Sequence, residues 1–205
     1  MEVELLEGRV LPAPIVTPWD TIPNYADDPT IQAVSSGAWS NPATWNLARV
    51  PVAGDRVVCS GSYGVTYDLL SDAALESLAL SSGCILTVSR STPTRLTVGT
   101  FQVQSDTWAD WGNDTNPVTS YAEIVFTDTV PTDTNQWGTG LIVLGSFTTL
   151  GQSKTSWSPL TTAPMTGNIT LSLAIAPSGW LPGDRLVLPD ARSVQTGGWH
   201  GEQPI

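Results

Sequence analysis

From Gly54 onward the chain breaks into short β-prone runs, none long enough for a helix, and this rhythm limits the fold more than any other feature. The runs are residues 56–59, 65–67, 75–80, 84–88, 96–98, 101–103, 122–126 and 141–144. Between them stand turn formers: Gly61-Ser62, Ser71-Asp72, Ser81-Ser82-Gly83, Ser91-Thr92-Pro93 and Asn113-Asp114. A spacing of roughly 8–12 residues fits a sandwich, a barrel or the coils of a solenoid. Two details favour the solenoid. The runs around Val58 and Ile85 start about one coil apart, and those around Leu78 and Val103 repeat that offset, as stacked coils require. The turns also lack the Asn-Gly and Asp-Gly pairs of tight hairpins. On these grounds alone a β-sandwich stays open.

Composition narrows the function classes. Charged residues make up 13% of the chain and hydrophobic ones 40%, which suits a packed core without long solvated helices. The formal net charge of −11 repels phosphate backbones and anionic lipid surfaces, so neither nucleic acid nor membrane insertion is expected. Low charge density with abundant Ser, Thr and Trp points to a secreted or cell-surface protein.

Residues 1–35 read as an extended arm. Pro12, Pro14, Pro18 and Pro23 interrupt any helix or central strand. The interleaved Val10, Leu11, Ile15, Val16, Trp19 and Ile22 imply that the arm packs along another surface. Residues 36–150 hold the rhythmic β segment. Residues 151–205 read as continuing strands, with alternation at 169–173 and a further run at 185–188. No closing strand follows, so the sequence reads as the beginning of a longer solenoid, with a downstream β-helix as its neighbour.

The ordered motifs resemble a known family. Gly37-Ala38-Trp39-Ser40-Asn41-Pro42-Ala43-Thr44-Trp45, then Arg49-Val50-Pro51-Val52-Ala53-Gly54-Asp55-Arg56-Val57, is similar to the opening of a G8 (eight-glycine) domain. The likeness continues through Gly64-Val65-Thr66-Tyr67-Asp68, Leu75-Glu76-Ser77-Leu78, Gly83-Cys84-Ile85-Leu86, Thr94-Arg95-Leu96-Thr97-Val98-Gly99 and Ala122-Glu123-Ile124-Val125-Phe126. The resemblance implies an all-β fold, a right-handed parallel β-helix (a single-stranded solenoid) with an N-terminal extended arm and cap, in an extracellular setting. Relatives include cell-surface hyaluronidases and hyaluronan-binding proteins, in which catalysis is expected from a longer β-helix downstream. Relatives often carry a His-Gly pair where this chain has Leu150-Gly151, so a role needing that imidazole would be missing.

Candidate chemistry concentrates in aromatic and acidic loops. Trp108, Trp111 and Trp137 sit in polar, turn-rich sequence and are expected to be exposed, where an indole can stack on the apolar C–H face of a sugar; Asp110 and Asn113 are their polar companions. The alternative is that these rings pack loops against the core. Trp39 and Trp45 read as a cap over the first coil. Calcium is the one cofactor considered, in the oxygen-rich stretch 105–116, although its spacing matches no EF-hand or nonapeptide repeat. No catalytic residue and no other metal site is assigned: acidic pairs drawn from Asp110, Asp114, Asp128 and Asp133 would have to converge, and His200 is the only histidine. Cys59 and Cys84, 25 residues apart, could form a disulfide or remain buried thiols. The repeated tripeptide at 54–56 and 183–185, Gly-Asp-Arg, reads as a structural turn with the Asp side chain capping backbone amides. The functional expectation is a non-catalytic extracellular module that caps a larger protein and binds polysaccharide or matrix glycans. The alternatives are the N-terminal fragment of a polysaccharide-degrading enzyme and a purely structural adhesin element.

Overall fold

The computed structural model describes residues 13–127, 139–182 and 184–188. The chain divides into two compact units, Met1–Gln152 and Ser153–Ile205. Thirteen strands are found among the described residues: β1 Ile15–Val16, β2 Thr21–Ile22, β3 Ile31–Gln32, β4 Gly37–Ala38, β5 Arg56–Cys59, β6 Gly64–Tyr67, β7 Leu75–Leu80, β8 Ile85–Val88, β9 Thr94–Val103, β10 Trp108–Trp111, β11 Ala122–Phe126, β12 Gly140–Val143 and β13 Ser146–Thr149. Apart from the antiparallel β1–β2 pair, every strand pairing is parallel.

Successive strands from β3 to β10 alternate between two sheets. One sheet has the order β13-β10-β8-β6-β4; the other runs β11-β9-β7-β5-β3, with β12 also paired to β9. From β3 to β11 a parallel partner therefore comes from the next-but-one strand in sequence, whereas β12 and β13 pair three strands back, with β9 and β10. The repeat is 21 residues where Thr66 meets Thr87. Leu78 pairs with Phe101 and Leu80 with Val103, as the sequence offset implied. Val58, however, pairs with Ala79 and not with the Ile85 run, which lies in the other sheet. The 25–27-residue offset there spans more than one repeat, and the apolar runs of the two sheets look alike in sequence.

Side chains alternate across each strand, so registered columns build the core. In the larger sheet the inward column is Ile31, Val57, Leu78, Phe101. In the five-stranded sheet it is Val65, Leu86, Ala109, Phe147. Full burial of each large aliphatic or aromatic side chain contributes about 1.5–3 kcal/mol. Strand β9 serves the core twice: Leu96 and Val98 point in, then Phe101 and Val103 do. The alternation slips by one at Gly99-Thr100, as at a bulge where a strand changes direction. Its first half pairs with β11 and its second with β7 and β12.

The arm is partly structured, but its expected apolar anchors Val16 and Trp19 are exposed. Residues 15–22 form a small hairpin closed by Thr17 and Asp20. Ile22 is buried, and the following residues cross the outer face of the larger sheet. There the side chain of Gln102, itself fully buried, accepts from the Tyr25 amide at 3.1 Å and donates to the Pro23 carbonyl at 2.8 Å. The expected arm ends inside the fold, because β3 at residues 31–32 already belongs to the sheet. Trp39 and Trp45 are buried, edge-to-face at 4.7 Å, with the Trp45 indole donating to the Trp39 carbonyl at 2.8 Å.

The second unit departs from expectation. Its described residues contain no strand; Leu160 and Leu173 form an isolated antiparallel bridge. Residues 169–173 have the alternation of a strand, but Ile169 is almost wholly exposed and no ladder forms. Alternation specifies a strand only where a partner strand and a core meet it.

Candidate functional site

The outer face of the five-stranded sheet carries the most coherent polar and aromatic display. Strand β10 reads Trp108-Ala109-Asp110-Trp111, so Trp108 and Asp110 point outward while Ala109 and Trp111 point into the core. Parallel register extends both outward positions across neighbouring strands. Gly64, Ile85, Trp108 and Ser146 form one column; Thr66, Thr87, Asp110 and Thr148 form the next. Strands stand about 4.8 Å apart, so the face offers an exposed indole beside a row of three hydroxyls and one carboxylate. Trp108 is 51% exposed and Ile85 40%. The Thr66 and Thr87 hydroxyls lie 3.0 Å apart; whichever accepts keeps its own O–H for another partner.

Asp110 anchors the face. One carboxylate oxygen accepts from the Gly112 amide at 2.8 Å and from Thr148 Oγ1 at 3.2 Å. The other accepts from Arg90 Nη2 at 2.6 Å and from Asn113 Nδ2 at 2.9 Å. Burial alone would raise its pKa, but Arg90, the Gly112 amide and Asn113 outweigh burial and hold it below the usual carboxylate range. A carboxylate with four donors, kept ionised by an arginine, is not a general acid at neutral pH. Its work is to fix β10 against β13 and the 112–116 turn. Asn113 is equally occupied, accepting from the amides of Thr115 and Asn116.

The sequence-derived candidates thus separate. Trp108, Asp110 and Asn113 come together at the surface. Trp111 does not: it is 5% exposed, stacked on Phe147 with centroids 5.7 Å apart, and close to Phe101. Its expected exposure is corrected by strand parity, since two residues of one four-residue strand that differ by an odd step cannot share a face. Trp137, Asp128, Asp133 and His200 lie outside the described residues. Sequence reasoning missed Ile85, Thr66, Thr87, Thr148 and Arg90, which join Trp108 only through cross-strand register. Among the described residues no three His, Cys, Asp or Glu side chains gather as a metal-binding group.

Cys59 and Cys84 are free thiols, both fully buried at one corner of the core. The Cys59 amide-side carbonyl accepts from the Ser81 amide at 2.9 Å, and the Cys84 amide donates to the Ser81 carbonyl at 3.2 Å. The hydrogen bond to Cys84, together with burial, pushes the Cys59 thiol well above its ordinary value. Cys59 is therefore protonated at neutral pH.

Asp55 forms a second polar centre, on the arm-covered side. It receives Arg49 through two bonds of 2.6 and 2.9 Å, the Val52 amide at 2.8 Å and Thr30 Oγ1 at 2.9 Å. These donors, Arg49 foremost, lower its pKa to about 2. Gly54, at φ +81°, makes the turn that permits this. Asp184 repeats the device, accepting from the Leu181 amide at 2.8 Å and from Lys154 at 2.8 Å.

The second unit contains a groove of about 660 Å³ lined by Lys154, Trp157, Leu171, Trp180 and Leu186 among others. Trp157 is 71% exposed there, but no paired strand holds it in place.

The comparisons with known proteins agree with the motif order. No curated protein and no solved structure matches the chain. The G8 domain profile matches residues 44–161, more than half of the 205-residue chain. The matched span contains strands β5 to β13, hence both outward columns around Trp108, and on this ground the chain belongs to the G8 domain family.

Proposed function

We propose that this chain is a non-catalytic extracellular module, built as a right-handed parallel β-helix, whose exposed five-stranded face binds a polysaccharide chain across Trp108. One observation carries the binding reading: strand register sets an exposed indole, flanked by Ile85 and Ser146, beside the column Thr66, Thr87, Asp110 and Thr148. A sugar ring presents an apolar C–H face to stack on an indole and hydroxyls to meet neighbouring donors and acceptors. Asp110 and Arg90 hold that surface rigid, so little side-chain entropy is lost on binding. The β-helix reading is supported by strands that alternate between two parallel sheets, with paired positions 21–28 residues apart from β3 to β11. Family membership and the sparse, acidic surface charge support an extracellular location. The same reading makes further β-helix coils the module's structural neighbour, with no part for nucleic acid, membrane insertion or a cofactor.

The test is affinity electrophoresis of the full chain and of Trp108→Ala through gels containing plant, microbial and matrix polysaccharides. Retardation by at least one polymer, reduced about tenfold or more in the variant, is the expected result. Equal retardation of both proteins would remove Trp108 from the site. No retardation in any gel would refute glycan binding.

A further inference from the structure

We infer that the ligand of the Trp108 face is an uncharged polysaccharide and that polyanionic chains such as hyaluronan or polygalacturonate are rejected; this rests on the glycan-binding reading above. The ground is the distribution of charge. Residues 1–152 hold sixteen of the nineteen acidic residues and five of the eight basic ones, whereas residues 153–205 hold three of each. The entire −11 therefore belongs to the unit that carries the face.

The described cations of that unit are also committed. Its four described arginines are all in ion pairs: Arg49 with Asp55, Arg56 with Asp28 and Glu76, Arg90 with Asp110, and Arg95 with Asp72 and Glu123. Residues 13–152 contain no lysine. Asp20, Asp27, Asp68, Asp106 and Asp114 have no paired cation among the described residues, and Asp106 is exposed two positions before Trp108.

Arg90 is held against Asp110, in the column next to Trp108. Its Nη2 is 2.6 Å from Asp110, and its Nη1 reaches the Asp110 carbonyl at 3.4 Å. Pulling it toward a uronate would strand a partly buried carboxylate and break its shortest hydrogen bond. A chain with a negative charge on every repeat would meet this unit's field without a free counter-charge among the described residues. A neutral chain avoids the cost, because the indole, Ile85 and the Thr hydroxyls ask only for C–H faces and hydroxyl groups. Thr66, Thr87 and Thr148 supply hydroxyls on β6, β8 and β13, and Ser146 adds another next to Trp108.

Affinity electrophoresis of the full chain in EDTA-containing buffer distinguishes the ligand classes. The gels contain a neutral β-glucan, a xylan or a galactomannan, or else hyaluronan or polygalacturonate, each at low and at high NaCl. The expected result is retardation by at least one neutral polymer, at least tenfold weaker in Trp108→Ala and retained in Trp108→Phe. That neutral binding should change less than about twofold with salt, since no ion pair forms with the ligand. Polyanion gels should give no retardation. Retardation by hyaluronan or polygalacturonate that Trp108→Ala abolishes would overturn this inference while leaving the glycan-binding reading standing. No retardation by any polymer would overturn both. Circular dichroism of the variants verifies that a lost interaction is not a lost fold.

Discussion

The two sheets present outer faces with opposite fates. On the larger sheet the outward column Gln32, Val58, Ala79 and Gln102 runs under the N-terminal arm, and Val58, Ala79 and Gln102 are buried. On the five-stranded sheet the equivalent outward positions remain at the surface, from Thr66 and Thr87 to Trp108 and Thr148. The inner faces are alike, columns of Val, Leu, Ile and Phe. The outer faces differ in what the sequence puts there. Small and amide side chains let backbone approach closely and bond to Gln102, whereas hydroxyls, a carboxylate and a bulky indole favour water or a ligand. A parallel sheet covered on both faces serves stability; one left open on a rigid core is free to serve recognition.

This contrast can be broken most strongly at Gln102. Gln102→Leu removes both bonds to the arm and leaves polar backbone groups against an apolar side chain. The expected loss is about 2–3 kcal/mol in urea unfolding, with faster proteolysis of residues 13–28. An unchanged midpoint would mean that the arm contributes nothing to the covered face.

Next comes Asp55, which ties the end of the arm through Thr30 to the strand-entry turn at Gly54. Its folded pKa of about 2 lies below the unfolded value near 3.9. A depressed carboxylate stabilises the fold fully above the unfolded pKa, and the contribution is lost as pH falls through the folded one. Between pH 5 and pH 2 the native state should therefore lose about 2 kcal/mol through this group. Asp55→Asn should flatten that part of the pH profile. An unaltered acid limb would locate the acid sensitivity elsewhere.

The smallest stability effect belongs to the exposed face. Trp108→Ala should change unfolding free energy by only about 0.5 kcal/mol, as for an exposed side chain with no capping or buried role. A loss several times larger would make Trp108 a structural residue and remove the contrast between the faces.

Much of this was legible from the residues alone. The run-and-turn rhythm with the ordered G8 motifs indicated parallel, repeated strands. The Gly54-Asp55 turn was readable because an Asp after a positive-φ Gly has few other local uses. The arm's apolar residues were a poor guide to its packing: Ile22 is buried but Val16 and Trp19 are exposed, and it is the backbone of Pro23 and Tyr25 that bonds to Gln102. What failed has a common cause: cross-strand register is not a local property. The Val58 and Ile85 runs look equivalent but lie in different sheets. Trp108 and Trp111 look equivalent but differ by an odd step, so one is a surface ring and the other a core ring stacked on Phe147. Ile85 and the Thr column carry no motif, and only pairing with β10 gives them a neighbour. In the second unit, the alternation at 169–173 had no partner strand to complete it.

Hydroxyl-radical footprinting of the full chain, with and without the polysaccharide that retards it, tests the central claim most directly, because it reads individual indoles. Trp19, Trp108 and Trp157 are 94%, 51% and 71% exposed and supply three reporters, one on the arm, one on β10 and one in the second unit. The account predicts that ligand protects Trp108 alone among the three. Protection of Trp157 or Trp19 with Trp108 unchanged would contradict it and move binding off the five-stranded face.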